Sequence, residues 1–407
     1  MSTRTTCRSC GSAELETVLD LGLVPLADRL VPHERLASED PAYPLALAVC
    51  RSCTLAQVPF DVPEDSYGED YPYYTSTNPG LVEHFTAATA EVAKRVELED
   101  ELVVEFASND GVQLAPFAAL GARVLGVDPA PGPAAEANRQ SLETRCALFT
   151  AGGARELARE RGRARVLVGN NALNLLPDLA DFREAVGALL AEDGVLVLEV
   201  PSLQRTLEQG AFDNVFHQNT TYWSLHALEA MLAPAGLRPF DVQQLPTFGG
   251  SLRVFAARDR EPQPAVEAQR ATERAAGLDG LEAFEAFGRR ARSTRDQLRE
   301  QLLALHEDGR RCVAYGAAGG MATTLLSFLD LPEGVLEYAV DLNPHKHGSW
   351  TPGQRLLIRP VETLVEDGPD VALLLAWNFA DAILEAQRPW RDRGGRFLVP
   401  IPEPRLV

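Results

Sequence analysis

The chain has 407 residues, 45% hydrophobic and 24% charged, the composition of a globular protein of two or three domains. Its 58 acidic against 38 basic residues leave a net charge of −20, which argues against nucleic acid as a partner, although one or two local arginines could still hold an anionic small molecule. No run approaches the roughly eighteen apolar residues of a membrane span, and the first turns carry cysteines and acids instead of an apolar signal core, so a cytoplasmic protein without a membrane partner is expected.

The N-terminal stretch holds two C-x-x-C pairs, Cys7/Cys10 and Cys50/Cys53. In a chain without an export signal such knuckles point to tetrahedral zinc rather than disulfides, and four thiolates close the site, so the metal is structural. Residues 1–70 form this zinc module, whose core would be thin without the metal. Cys146 and Cys312 stand alone in apolar surroundings and are expected to be buried packing residues. The basic residues are nearly all arginine, with Lys94 and Lys346 the only lysines.

The segment 65–79, rich in Tyr, Gly and Pro, is expected to be an irregular connection, followed by a helix over about 80–96. From 101 to about 257 apolar strands alternate with helices, the pattern of a doubly wound parallel sheet. Within it, VVEFASNDG…VLGVDP places Glu105 at a strand end, a small-residue loop from Ala107 through Asn109 to Gly111, and Asp128 at the end of the next strand, where an acid can grip a ribose diol. A dinucleotide site would want G-x-G-x-x-G here; with Gly111 alone, the pattern is that of an S-adenosylmethionine (SAM) pocket.

A charged, proline-containing linker at 258–264 closes the central unit, giving divisions 71–258 and 259–407. A helical stretch over about 265–308, broken near Gly277 and Gly280, leads into a second α/β unit. Its turn from Gly316 to Gly320 follows a strand and opens a helix, so its backbone N–H groups could meet a phosphate, and Asp341 ends the next strand.

The pieces PLADRLV, EFASNDG, NNALNLLPDL, FHQNTTYWSL, FGGSLRVFA, AYGAAGG, VDLNPHKHG and AWNFADAI, in this order behind the cysteine knuckles, resemble the sugar C-methyltransferases that build branched deoxysugars from nucleotide-linked 4-keto-sugars. The resemblance implies an N-terminal zinc module, a central class I SAM methyltransferase domain of Rossmann-like α/β type and a C-terminal Rossmann-like domain that helps hold the nucleotide sugar. It assigns cofactor binding to Glu105, Ala107, Asn109, Gly111, Asp128, Pro129, Asn170 and Asn171. Acceptor binding falls to Ser251, Arg253, Tyr315, Gly316, Trp377 and Asn378.

At the catalytic motif the chain departs from that pattern. The family's Tyr-His-Glu-His reads Phe216-His217-Gln218-Asn219 here, so the base position is Asn219, and an amide cannot accept a proton at neutral pH. Two other positions often occupied by histidine are Leu175 and Phe248, and the lysine of the C-terminal glycine turn is replaced at Gly320. His217 is the histidine left in the motif and a candidate base, Asp213 is another, and Tyr74 and Tyr222 could position the acceptor or stabilise an enolate. The expected activity is SAM-dependent C-methylation of a nucleotide-activated keto-sugar or a related natural-product intermediate, by deprotonation next to a carbonyl, with a changed acceptor or reaction as the alternative.

Overall fold

A computed structural model describes residues 2–61 and 73–407; the predicted connection lies outside the described residues as far as residue 72. The N-terminal strands Leu15–Pro25, Ala42–Cys50 and Ala56–Gln57 form an antiparallel sheet. A fourth strand, Thr221–Tyr222, comes from the central unit and pairs Tyr222 with Ala56, so the FHQN segment is stitched to the zinc module.

The central sheet has seven strands. In spatial order they are Arg238–Leu245, Ser251–Ala257, Leu190–Pro201, Ala164–Asn170, Leu102–Phe106, Arg123–Asp128 and Thr144–Cys146. Ser251–Ala257 runs antiparallel to both of its neighbours and the remaining contacts are parallel. Alternation along each strand serves two cores. Val104, Phe106, Leu167 and Leu198 face one layer, and Val103, Val166, Val168 and Val197 face the other. On that second face, the terminal positions Glu105, Asn170 and Glu199 continue the same two-residue period, so a polar row forms where the strands end.

The helix Pro79–Ala93 covers this row. It starts where Asn78 accepts hydrogen bonds from the N–H groups of Gly80 and Leu81, with proline at its first position, a cap that contributes about 1 kcal/mol. Leu81, Phe85, Ala88 and Val92 recur at helical spacing on its buried side.

The C-terminal sheet is parallel through Ile358–Pro360, Ala339–Asp341, Cys312–Tyr315, Val371–Leu374 and Arg396–Val399, with Arg405–Leu406 antiparallel at its edge. The long helix Glu282–Glu307 buries Phe284, Phe287 and Leu298 in a core shared with Leu19 and Leu21 of the N-terminal sheet, each such side chain contributing about 1.5–3 kcal/mol. Gly288 permits the approach, because a Cβ there would lie 2.0 Å from the carbonyl oxygen of Val18.

One expectation is corrected, and one expected boundary is bridged by packing. Cys146 is exposed at the end of the edge strand Thr144–Cys146, whereas Cys312 is buried. The packing also does not divide at 258. The helix Pro264–Ala275 puts Val266 into the central core, and its Glu273 carboxylate accepts the N–H groups of Leu225 and His226 at 2.7 and 3.1 Å. Among the described residues, no helix is long and apolar enough to cross a membrane.

Candidate functional site

The four cysteine sulfurs lie within 4.8 Å of one another, Cys7 to Cys53 at 3.6 Å and Cys10 to Cys50 at 3.5 Å. A tetrahedral zinc with bonds of about 2.3 Å requires sulfurs about 3.8 Å apart, so the donor set fits the metal. Each knuckle closes on itself, Gly11 N–H to Cys7 O and Thr54 N–H to Cys50 O, with Gly11 and Thr54 in left-handed conformations. Further donors reach the Cys7 sulfur from Ser9 N–H at 3.4 Å and Gln57 Nε2 at 3.3 Å, which suits a thiolate.

The second centre is the loop after Leu102–Phe106. Ala107, Asn109 and Gly111 all have positive φ, which folds the loop back over the strand ends. Gly111, with φ 82°, suits this position, and a Cβ there would lie 2.7 Å from Leu142 Cδ1. Asp128 ties the loop down: its Oδ2 accepts Asn109 N–H and its Oδ1 accepts Ala130 N–H, both at 2.8 Å. Pro129 follows it directly. The segment 75–76 closes over the loop, with Thr75 N–H on Asn109 Oδ1 and Ser76 N–H on Asp110 Oδ2.

Three carboxylates therefore surround this loop: Glu105, Asp110 and Asp128, each 5% exposed or less. Burial pushes the Glu105 carboxyl well above the usual range, and the negative charges of Asp128 and Asp110 push it further. Burial likewise raises Asp128, against the pull of its two N–H donors. Buried oxygens of Glu105, Ser108, Asp110, Asn170 and Asn171 have no partner among the described residues. A buried acidic cradle with orphaned oxygens fits a ligand that brings positive charge and donors, as the sulfonium and amino groups and the ribose hydroxyls of SAM do.

The FHQN segment lies where the three units meet, and its side chains are spent on protein. The Phe216 ring fills the space above Gly320, where a Cβ would lie 2.7 Å from it. His217 is buried, with Nε2 3.2 Å from the carbonyl oxygen of Pro44, and desolvation pulls its pKa down. Gln218 hydrogen-bonds Asp28, whose N–H donates to Ala318 O at 2.7 Å. The Asn219 amide oxygen accepts from Asn174 Nδ2 at 2.7 Å.

These contacts bear on several expected roles. His217 packs the central unit against the N-terminal one. The Tyr222 hydroxyl donates to Asn214 O and accepts from Phe216 N–H, which secures the turn, and burial raises its pKa. The Tyr74 hydroxyl lies against Gly132, at the start of the helix that follows Asp128, which is the cofactor side. Tyr315 is buried against Phe397 in the C-terminal core. Ser251 donates to Thr247 O at 2.9 Å and is likewise enclosed.

Of the remaining acceptor candidates, Gly316 turns with φ 86° and Asn378 is exposed. The Trp377 Nε1–H donates to Asp213 Oδ2 at 2.6 Å, joining the C-terminal unit to the central one. Burial pushes the Asp213 carboxyl up to about 7.

Beside the cofactor cradle, the polar row continues through residues that sequence reasoning missed. Glu199 is fully buried, paired in register with Asn170 on one side and Arg253 on the other. Arg253 Nη2 donates to its Oε2 at 2.7 Å, and His84 Nε2 lies 2.8 Å from its Oε1. A signal existed for both. Glu199 interrupts the apolar strand VLVLEV as Glu105 interrupts VVEF, and His84 lies three residues after Leu81 on the inward helical face.

The fold and the two donor sets define the class of protein: a SAM-dependent methyltransferase carrying a structural zinc module. Comparison with known proteins agrees. Residues 7–67 match a family model described as a zinc binding domain, 80–242 one described as a methyltransferase domain, and 246–402 one described as a C-methyltransferase C-terminal domain. C-methyltransferase NovU of Streptomyces niveus is 36% identical over 405 residues, covering 98% of this chain and 96% of its own. The chain belongs to this family of sugar C-methyltransferases.

Among solved structures, the SAM complex of magnesium protoporphyrin IX methyltransferase from Synechocystis PCC 6803 is 15% identical, covers 47% of this chain and 88% of its own, and has a TM-score of 0.34. A SAM-dependent methyltransferase from Clostridium acetobutylicum is 14% identical, covers 45% and 92%, and has a TM-score of 0.35.

Proposed function

We propose that the protein transfers the methyl group of SAM to a carbon next to a carbonyl in a nucleotide-linked keto-sugar, and that it works in the cytoplasm. The supporting observation is the polar row at the strand ends: the SAM cradle of Glu105, Asn109 and Asp128 adjoins Asn170 and Glu199, so a small acceptor on the neighbouring strands would lie beside the cofactor. Bound SAM supplies an electrophilic methyl group. The chain itself must hold the acceptor, exclude water and take up a proton from the carbon, because carbon becomes nucleophilic only as the enolate.

The test is incubation with SAM and a panel of nucleotide-linked 4-keto-sugars. A mass gain of one methyl on carbon is expected; no methylation and no solvent deuterium exchange across the panel would overturn the reading. A second reading, a changed acceptor whose nucleophile needs no strong base, is favoured by Asn219, whose amide is occupied by Asn174 and takes no proton. Release of S-adenosylhomocysteine with a non-sugar acceptor would select it.

A further inference from the structure

The methylation reading requires a base, and neither Asn219 nor the enclosed His217 supplies one. We propose that Glu199, His84 and Thr247 form a proton relay that deprotonates the acceptor, with Thr247 Oγ as the atom that meets it. The proposal rests on the reading of the protein as a methyltransferase acting beside a carbonyl.

The three groups stand in a chain. Glu199 Oε1 and Oε2 lie 2.8 and 3.0 Å from His84 Nε2, and His84 Nδ1 lies 3.2 Å from Thr247 Oγ. Arg253 Nη2 also lies 3.3 Å from Nε2, but both Glu199 oxygens are nearer, and a carboxylate only accepts, so Nε2 carries the ring proton and Nδ1 presents its lone pair to the Thr247 hydroxyl. Carboxylate, imidazole and hydroxyl in this order make a hydroxyl into a proton acceptor, the imidazole being held in one tautomer by the acid behind it.

Arg253 balances the cluster. Its Nε and Nη2 reach Glu199 Oε2 at 3.2 and 2.7 Å, so the carboxylate is already paired without His84, and carboxylate plus guanidinium carry no net charge. The charge pair alone therefore does not explain why a histidine stands there.

The surroundings place the relay beside the cofactor. Glu199 is in register with Asn170 of the SAM cradle, and a groove lined by His84, Glu91, Gln243, Gln244, Leu245 and Arg253 opens beside it. Thr247 lies in the turn Thr247–Gly249 between two strands of the sheet, where Phe248, with φ 56°, adopts a left-handed conformation unusual for a bulky residue. Ser251 Oγ holds this turn by donating to Thr247 O. In the step proposed, the acceptor C–H bond breaks and its proton joins Thr247 Oγ, whose own proton passes to His84 Nδ1. The electron pair stays with the carbon, delocalised into the carbonyl as an enolate. The imidazolium, held by Glu199, returns its proton to water after the product leaves.

The experiment follows deuterium exchange from solvent into nucleotide-linked 4-keto-sugars without SAM, alongside calorimetric SAM binding, for the zinc-loaded protein and its His84→Gln, Thr247→Val and Thr247→Ser variants. Expected are losses of about 100-fold in exchange for the first two, substantial retention by the serine variant, and SAM affinity within about twofold throughout. Exchange at the parental rate in His84→Gln and Thr247→Val would overturn the relay and leave the methyltransferase reading standing. If the parent protein exchanges no keto-sugar, the methyltransferase reading falls where methylation is absent too, and the relay is decided by nitrogen-15 spectra of His84. The Nε2–H tautomer with an Nδ1 signal that moves in Thr247→Val supports it, and the Nδ1–H tautomer overturns it.

Discussion

The chain contains the same turn twice. After Leu102–Phe106 the loop at Asn109 donates its N–H to Asp128 at the end of the next strand, and after Cys312–Tyr315 the loop at Ala317 donates its N–H to Asp341 at 2.9 Å. Each aspartate uses its other oxygen for the second residue after itself, Ala130 and Asn343, both at 2.8 Å. What differs is the covering. Around the first turn, buried oxygens of five residues have no partner among the described residues. At the second, Lys346 Nζ reaches Ala317 O at 2.8 Å and Asp341 Oδ2 at 3.3 Å, while the Phe216 ring occupies the space above Gly320. One turn is left open for a ligand and its twin is filled by the protein. Local backbone geometry is therefore not what makes a binding site; the side chains that neighbouring segments bring to it decide.

The comparison can be broken most forcefully through the metal. Structural zinc sites of this type contribute on the order of 10 kcal/mol to folding, so chelation or Cys50→Ser should unfold the N-terminal sheet and release its strand Thr221–Tyr222 from Ala56 and Gln57. The plug over the second turn should loosen while the first turn keeps its ligand. Metal content, thermal unfolding and SAM calorimetry on the same samples would show this, and loss of SAM binding in step with the metal would contradict it.

A smaller effect concerns Asp213, which joins the central unit to Trp377. Its folded pKa, about 7, lies above the unfolded value of about 3.9, so the protonated form is favoured on folding. Its stabilising contribution is full below pH 4 and is lost as pH rises through 7, by at most about 4 kcal/mol. Asp213→Asn, which keeps an acceptor for Trp377, should remove this slope from unfolding measurements between pH 4 and 7; an unchanged slope would assign it to other groups.

Asp128→Ala should cost about 2–3 kcal/mol of SAM binding by freeing the N–H groups of Asn109 and Ala130, whereas Asp341→Ala should leave SAM affinity unchanged. Equal losses in the two variants would erase the distinction between the turns. The smallest change is Gly320→Lys. The new side chain meets the Phe216 ring and should destabilise by about 1–3 kcal/mol, with recovery in the double variant that adds Phe216→Ala. Denaturant unfolding of the single and double variants measures the coupling.

Much of the site was legible before any coordinates. The cysteine knuckles, the loop Ala107–Gly111 and Asp128 are patterns of a few consecutive residues, and their spacing dictates their geometry. The helix over Pro79–Ala93 and the break before Glu282–Glu307 were also readable, from apolar spacing and from glycine. The proposed proton relay was not. His217, Tyr222 and Tyr315 carry the chemistry expected of site residues, yet each is enclosed by protein, while His84, Glu199 and Thr247 lie on three separate elements that no short motif unites.

By itself the sequence determined the metal knuckles, the alternation of strands and helices, and the turn that prepares a cofactor cradle, because each depends on backbone conformation and side-chain period within a few residues. Only the tertiary structure decided which polar groups stay available. His217 is satisfied by Pro44, 173 positions away, and His84 meets Glu199, 115 positions away. A buried donor or acceptor must find a partner, and whether that partner is protein or ligand depends on which distant surfaces the fold presses against it.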